Sequence, residues 1–237
     1  MNELGQLILI PTVIAEGTEK EVIPAIVLEK IKPIRYFLAE NIRTARRYLS
    51  RLKIYESMDT LKFTVLNKET KEQELEEMFA PIFSGENVGV LSESGCPGVA
   101  DPGALAVSFA HQKKITVFPL VGPSSILLAL MASGLNGQQF AFHGYLPIDS
   151  KECIQKIKML EKESAAKNQT QIFIETPYRN KQILKNLTSV LGRTVRLCVA
   201  TNLTGNSESV KTLTVSDWKE NLPVLEKEPA VFLFLAS

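Results

Sequence analysis

Histidine and cysteine are scarce. His111 and His143 are the two histidines, and Cys96, Cys153 and Cys198 the three cysteines, among 237 residues. No CxxC pair and no Cys/His cluster has the spacing of a structural metal site, so no metal is expected. A large net charge is also missing: 27 Lys and Arg stand against 26 Asp and Glu, for a balance of +1. That excludes the global basic field of many nucleic-acid binders, though not a local basic patch. No apolar run reaches the roughly 18 residues of a membrane span, so no membrane partner is expected. The opening MNELGQ lacks the charged-then-apolar order of a secretory leader, and a cytoplasmic location is the expectation. Neither GxGxxG nor GxxxxGK followed by Ser or Thr occurs, which removes the familiar dinucleotide and P-loop sites.

What is present is alternation. Apolar, strand-like runs at 6–14, 35–40, 61–66, 87–93 and 114–121 are separated by segments with helical spacing at 19–32, 42–52, 70–83 and 103–113. Pro24 interrupts the first of these and implies a late start or a kink. Thr70 reads as the cap of the helix over 70–83. Strand–helix alternation of this kind argues for parallel βαβ units with helices on both faces. An apolar helix over 124–135 follows, with a Ser cap and Gly134 at its end. The second half has strand-like runs at 140–146, 170–176, 194–200, 209–215 and 229–236, with helices over 151–167 and 180–191. Its last strands leave little room for crossover helices, so antiparallel pairing is expected there. The expectation is two α/β domains, 1–120 and 121–237, with a mostly parallel first sheet and a mixed second one.

Four strand ends carry turns rich in Gly, Pro, Ser or Thr: PTVIAEG (11–17), ESGCPGVADPG (93–103), VGPSS (121–125) and ETPYR (175–179). In open α/β sheets ligands bind beyond the carboxyl ends of strands. Ordinary turn chemistry also selects these residues, so the turns alone name no ligand.

The order in which these stretches occur resembles the tetrapyrrole methylase superfamily. Within it the closest resemblance is to the branch that methylates the ribose 2′-oxygen of a cytidine in small-subunit ribosomal RNA. The matching segments are Ser92–Gly103, Pro119–Pro123, Gly144–Pro147 and Ile174–Arg179. The resemblance implies S-adenosylmethionine held between two α/β domains, in a homodimer, with RNA or the small ribosomal subunit as partner. It implies cofactor contacts from Ile14, Gly95, Cys96, Val99, Ser124, Ser125, Ile126, Glu175, Ala200, Asn202, Pro229 and Ala230. Ile14 and Val99 suit a core equally, and the two serines suit a helix cap. A ribose hydroxyl needs help in losing its proton. Glu93, where the family pattern has Asp, and Asp101 are the candidate catalytic carboxylates; Asp101 also suits a helix cap.

Substrate contacts are expected from Glu40, Arg43, Arg47, Tyr178 and Arg179. Arg43, Arg47 and Arg51 recur every four residues and share one helical face, which reads either as a solvated surface or as a grip for RNA phosphates. The chain departs from the pattern elsewhere. LNKET (66–70) stands where a histidine-bearing stretch is usual. ATNLTG (200–205) lacks an Arg, a Glu and a Lys, and the first turn has Glu16 where the pattern has Asn. A tetrapyrrole or other small-molecule acceptor, and a cofactor-binding paralogue without catalysis, are therefore alternatives.

Overall fold

A computed structural model describes residues 3–223, 225 and 227–236. The chain divides into two compact units, Met1–Ser124 and Ser125–Ser237.

The first unit is built on strands β1 (Leu7–Ile10), β2 (Tyr36–Ala39), β3 (Lys62–Val65), β4 (Val88–Leu91) and β5 (Val117–Pro119). They form one sheet in the order β3-β2-β4-β1-β5, and every pairing is parallel. LILI in β1 and VGVL in β4 are apolar almost throughout because both faces are covered. Helices α1 (Glu19–Val22), α2 (Ala25–Ile31) and α3 (Ile42–Leu52) precede α4 (Glu72–Met78), α5 (Ala80–Phe83) and α6 (Gly103–Gln112). Val27, Ile31, Ala45 and Leu49 pack with Ile8, Ile10, Phe37 and Leu91 in one core. Leu75, Phe79, Ala106 and Phe109 pack with Leu7, Val88 and Val90 in another. The alternation of Val88 and Val90 against Leu91 places these cores on opposite faces of the sheet. Gly89 permits the tight packing of the first core, since a Cβ there would lie 2.5 Å from Ile10 Cδ1 and 2.9 Å from Phe37 Cδ1.

Two helix expectations need correction. The segment 19–32 is two helices, because Pro24 forces Ile23 into an extended conformation at φ −103°, ψ 113°. The helix expected over 70–83 begins at Glu72 and breaks at Phe79. Thr70 does not cap it. Its hydroxyl oxygen accepts from the Asn67 N–H in a separate turn, while the Glu74 carboxylate accepts from the Lys71 N–H at 2.9 Å.

The chain leaves β1 toward β2, passing β4, and leaves β4 toward β5, passing β1. Neighbouring strands whose connections depart in opposite directions open a crevice at their carboxyl ends. The turns after β1 and β4 meet there.

The second unit contains α7 (Ser125–Ser133), β6 (Phe140–Tyr145), α8 (Ser150–Lys167), β7 (Thr170–Glu175), α9 (Asn180–Val190), β8 (Arg196–Thr201), β9 (Ser209–Thr214), α10 (Val215–Glu220) and β10 (Ala230–Leu235). The sheet order is β6-β7-β10-β8-β9, parallel between β6 and β7 and antiparallel elsewhere, the mixed sheet that the short late connections imply. Phe173, Phe232, Phe234 and Trp218 are the large members of its core. Trp218 comes from α10, which the strand-like pattern of 209–215 concealed. Its indole N–H donates to the Leu197 carbonyl at 2.8 Å. Among the described residues no helix is long and apolar enough to cross a membrane, and no group of three metal-ligating side chains occurs.

Candidate functional site

Three turns of the first unit are fastened together at the carboxyl edge of its sheet. The Thr12 N–H, just after β1, donates to the Gly95 carbonyl at 2.9 Å. The Ser92 hydroxyl, just after β4, donates to the same carbonyl at 3.0 Å and lies 3.4 Å from the Thr12 hydroxyl. The Tyr48 hydroxyl holds the Pro11 carbonyl at 2.8 Å. The Cys96 thiol donates to the Pro123 carbonyl at 3.4 Å, which joins the turn after β5. Gly122 lies so close to Pro11 that a Cβ would be 2.1 Å from the proline Cβ. Burial pushes the Cys96 thiol up from its ordinary value, so it serves as a neutral donor and not as a thiolate nucleophile.

The turn itself has an unusual backbone. Gly95 and Gly98 adopt φ +73° and +84°, and Ala100, which has a Cβ, adopts φ +58°. A side chain in that region costs about 1 kcal/mol, so something must hold it. Asp101 Oδ1 does so by accepting from the Gly98 N–H at 2.6 Å and the Gly103 N–H at 2.7 Å. Asp101 thus braces the turn and the start of α6; its second oxygen is the part left for chemistry. The N–H groups of Cys96, Val99 and Ala100 make no hydrogen bond among the described residues. Val99 is exposed, not a core residue.

Carboxylates gather beside this turn. Glu40 follows β2, and Glu93 follows β4, its neighbour in the sheet through the Ala39–Leu91 pairing. Burial pushes the Glu40 carboxyl up from its ordinary value, and the charges of Glu93 and Asp101 push it further, against the pull of Lys68. Two negative groups in reach of one partly buried carboxyl are the arrangement that favours proton uptake. A pocket nearby is lined by Thr12, Ile14, Arg47, Tyr48, Ser92 and Glu93, among others. Residues expected to touch cofactor, reacting group and substrate thus share one cavity in this unit. Thr12, Ser92 and Tyr48 were not expected. Thr12 and Ser92 lie in turns already singled out, but their residue types name no role there, and the parallel register of β1 with β4 is what brings the two together.

The arginines of α3 share a face as expected, but two of the three are engaged. Arg47 pairs with Glu16 at 2.8 Å, and Arg51 pairs with Glu16 at 3.2 Å and Glu19 at 3.6 Å. Arg43 makes no ion pair among the described residues.

In the second unit, Glu175, Ala200, Asn202, Pro229 and Ala230 converge at one end of the sheet. Ala230 pairs across from Glu175 on β7 and Thr201 on β8, and the Asn202 N–H donates to the Pro229 carbonyl at 3.0 Å. Glu175 is buried, accepts from the Thr176 N–H at 2.8 Å, and lies 3.1 Å from the Arg179 guanidinium. Arg179 also donates to the Pro147 carbonyl at 3.0 Å, so its guanidinium is committed to holding this end together. Tyr178 is 80% exposed beneath the Lys227 ammonium. Ser125 and Ile126, half-buried, open α7, and Ser124 closes the first unit.

Comparison with known proteins adds a family to this geometry. The model of the tetrapyrrole (corrin/porphyrin) methylases matches residues 13–218. Proteins named ribosomal RNA small subunit methyltransferase I are similar. The one from Escherichia coli is 29% identical over 88% of this chain and 69% of its own length. The one from Vibrio cholerae is 31% identical over 72% of this chain and 58% of its own length. The one from Bacillus subtilis is 30% identical over 81% and 61%. The matches therefore span from 58% to 69% of the length of these relatives. Among solved structures, the methyltransferase CobJ superposes with TM-score 0.64 at 14% identity, over 98% of this chain and 95% of its own. A uroporphyrin-III C-methyltransferase from Thermus thermophilus, solved with S-adenosyl homocysteine, gives 0.60 at 14%, over 98% and 97%. At such identities the two structures speak to the fold.

Proposed function

Because the chain belongs to the tetrapyrrole methylase family, we propose that it is an S-adenosylmethionine-dependent methyltransferase acting on small-subunit ribosomal RNA, at the ribose 2′-hydroxyl of a cytidine. The names of its relatives support this acceptor. In this reading it works in the cytoplasm as a homodimer.

The observation that carries the reading is the 92–103 turn. Its residues fit the cofactor: Gly95 and Gly98 keep side chains away from the backbone, and the Cys96, Val99 and Ala100 N–H groups are donors without a partner among the described residues. Such donors suit the carboxylate and hydroxyl oxygens of S-adenosylmethionine. Bound there, the cofactor supplies a methyl group already activated on a sulfonium, leaving a neutral thioether. What the chain must add is alignment and a place for one proton. Thr12, Ser92 and Asp101 fix the turn, which is the alignment. Glu40, whose carboxyl is pushed up from its ordinary value by burial and then by the charges of Glu93 and Asp101, is the proton acceptor in this reading. Glu93 stands beside it, raising its proton affinity.

A second reading, cofactor binding without methyl transfer, is favoured by the segments that depart from the family pattern. Their polar groups are spent on themselves: Asn67 with Thr70 and Glu69, and Asn202 with Ser207, which in turn bonds Glu228. The experiment that separates the readings is incubation with labelled S-adenosylmethionine and either small ribosomal subunits or tetrapyrrole precursors. Label in RNA supports the proposal. Label in neither, from protein that binds S-adenosylhomocysteine, supports the second reading.

A further inference from the structure

We propose that Arg47 and Arg51 form a phosphate-binding site that Glu16 occupies in the free protein, so that an RNA backbone phosphate must displace the chain's own carboxylate. The identity of the ligand as RNA rests on the function proposed above; the site itself does not.

Glu16 sits in the turn after β1, between Ala15, whose carbonyl accepts from the Thr18 hydroxyl at 2.8 Å, and Gly17, which takes φ +87° with open space around it. That geometry pins the base of the turn and leaves its tip outward. Each oxygen of the Glu16 carboxylate faces one guanidinium: Oε1 is 2.8 Å from Arg47 Nη2, and Oε2 is 3.2 Å from Arg51 Nη2. A phosphodiester offers the same thing, two anionic oxygens on one centre, and guanidinium groups recognise both in the same way. Glu16 is therefore an internal stand-in for phosphate.

The stand-in is weakly held. The side chains of Glu16, Arg47 and Arg51 are 59%, 54% and 39% exposed. Exposed pairs of this kind contribute little and are screened by salt. Glu19 differs: its side chain is 11% exposed, and it lies 3.6 Å from Arg51 Nη1. Its buried Oε1 has no hydrogen-bond partner, so this ion pair is its compensation. When Glu16 leaves, Arg51 remains anchored by Glu19, and Arg47 is the group released to the ligand. The four formal charges of Glu16, Glu19, Arg47 and Arg51 cancel in the free protein. Removing that of Glu16 leaves one positive charge at the rim of a pocket that also holds Ser92 and Glu93. A phosphate gripped there brings its neighbouring ribose to the carboxylates. Glu16 thereby makes the patch selective for a ligand that can outcompete it.

The test uses the full chain as wild type, Glu16→Gln, and Glu16→Gln with Arg47→Ala. Each is titrated with inorganic pyrophosphate by calorimetry, and with small-subunit RNA over a series of salt concentrations. Glu16→Gln should bind both ligands about three- to tenfold more tightly, the scale of a lost exposed pair plus a relieved repulsion. Its salt dependence for RNA should steepen by about one unit. Arg47→Ala in that background should cancel the gain. No gain for pyrophosphate in Glu16→Gln, including no binding by any variant, overturns the proposal, as does a gain that survives Arg47→Ala. A gain for pyrophosphate with no RNA binding keeps the site and removes RNA as its ligand. RNA binding equal in wild type and Glu16→Gln leaves the proposed function standing and removes Glu16 from it.

Discussion

The Thr12 N–H and the Gly95 carbonyl, 2.9 Å apart, tie the turn after β1 to the turn after β4. These residues are 83 positions apart in the chain. They meet because β1 and β4 are hydrogen-bonded neighbours with Ile10 opposite Leu91. The joint fixes the glycine turn against the sheet, and the chemistry proposed for this edge depends on that fixity.

Gly95→Val tests the turn. The substitution places a branched side chain at φ +73° with its Cβ 3.3 Å from the Pro123 carbonyl oxygen. Strain of this kind costs about 1–2 kcal/mol, or a melting temperature lower by roughly 2–8 °C for a domain of this size. Binding of S-adenosylhomocysteine, followed by calorimetry on folded protein, should weaken by at least about tenfold, since about 1.4 kcal/mol of strain or lost contact is tenfold. Unchanged affinity would remove the turn from the cofactor site.

Asp101 is separable from catalysis by two substitutions. Asp101→Ala removes the oxygen that accepts from Gly98 and Gly103 and should cost about 1–3 kcal/mol in thermal or denaturant unfolding. Asp101→Asn keeps an acceptor oxygen and should recover much of that stability and of the methyl transfer rate. Equal loss of transfer in both, with stability kept in Asp101→Asn, would make the residue a proton acceptor after all.

Legibility in the sequence followed locality. The β4 run and the ESGCPGVADPG turn are local patterns, and the sheet end they imply is present; Pro102, not Asp101, takes the cap position of α6, while Asp101 braces the turn through the Gly98 and Gly103 N–H groups. Pro24 signalled a break whose physical cause lies in Ile23. The parallel first sheet and the antiparallel pairing of β8 with β9 follow from connection length alone. The convergence of Glu40 with Glu93 was not legible, because it requires β2 beside β4, an order set by crossovers. Nor was the engagement of Arg47 by Glu16, since helical spacing says which residues share a face and nothing about what faces them. Helix α10 was hidden because SVKTLTV reads as one strand through Val215, where the Thr214 hydroxyl in fact accepts from the Asp217 N–H.

As the proposed proton acceptor, Glu40 should set the pH dependence. Its folded value is raised, so its ionised form weakens the fold. The associated stability is present at low pH and lost as pH rises through that value. Glu40→Gln should therefore be slightly more stable than wild type at neutral pH, and much slower in methyl transfer. Lys68→Ala removes the charge that opposes the shift and should move the acid limb of the rate profile to higher pH. Glu93→Gln should move it lower. The profile of rate against pH for these variants checks all three signs; no movement in either direction would exclude Glu40 as the proton acceptor.

Assembly is open to a simple measurement. Apolar side chains stand out on the second unit, with Met131 79% and Ile148 85% exposed. Residues of this kind are the common currency of interfaces between subunits. Light scattering should report twice the chain mass of 26.3 kDa. A monomer at high micromolar concentration would contradict the homodimer.

The measurement closest to the central claim is methyl transfer to its proposed acceptor. Small ribosomal subunits, isolated from cells without this protein, are incubated with it and labelled S-adenosylmethionine, and the modified nucleotide is mapped. The account predicts label on one cytidine, resistant to alkaline cleavage because the ribose 2′-oxygen is blocked, and its loss with Glu40→Gln. Binding of S-adenosylhomocysteine without any label in the RNA would contradict it.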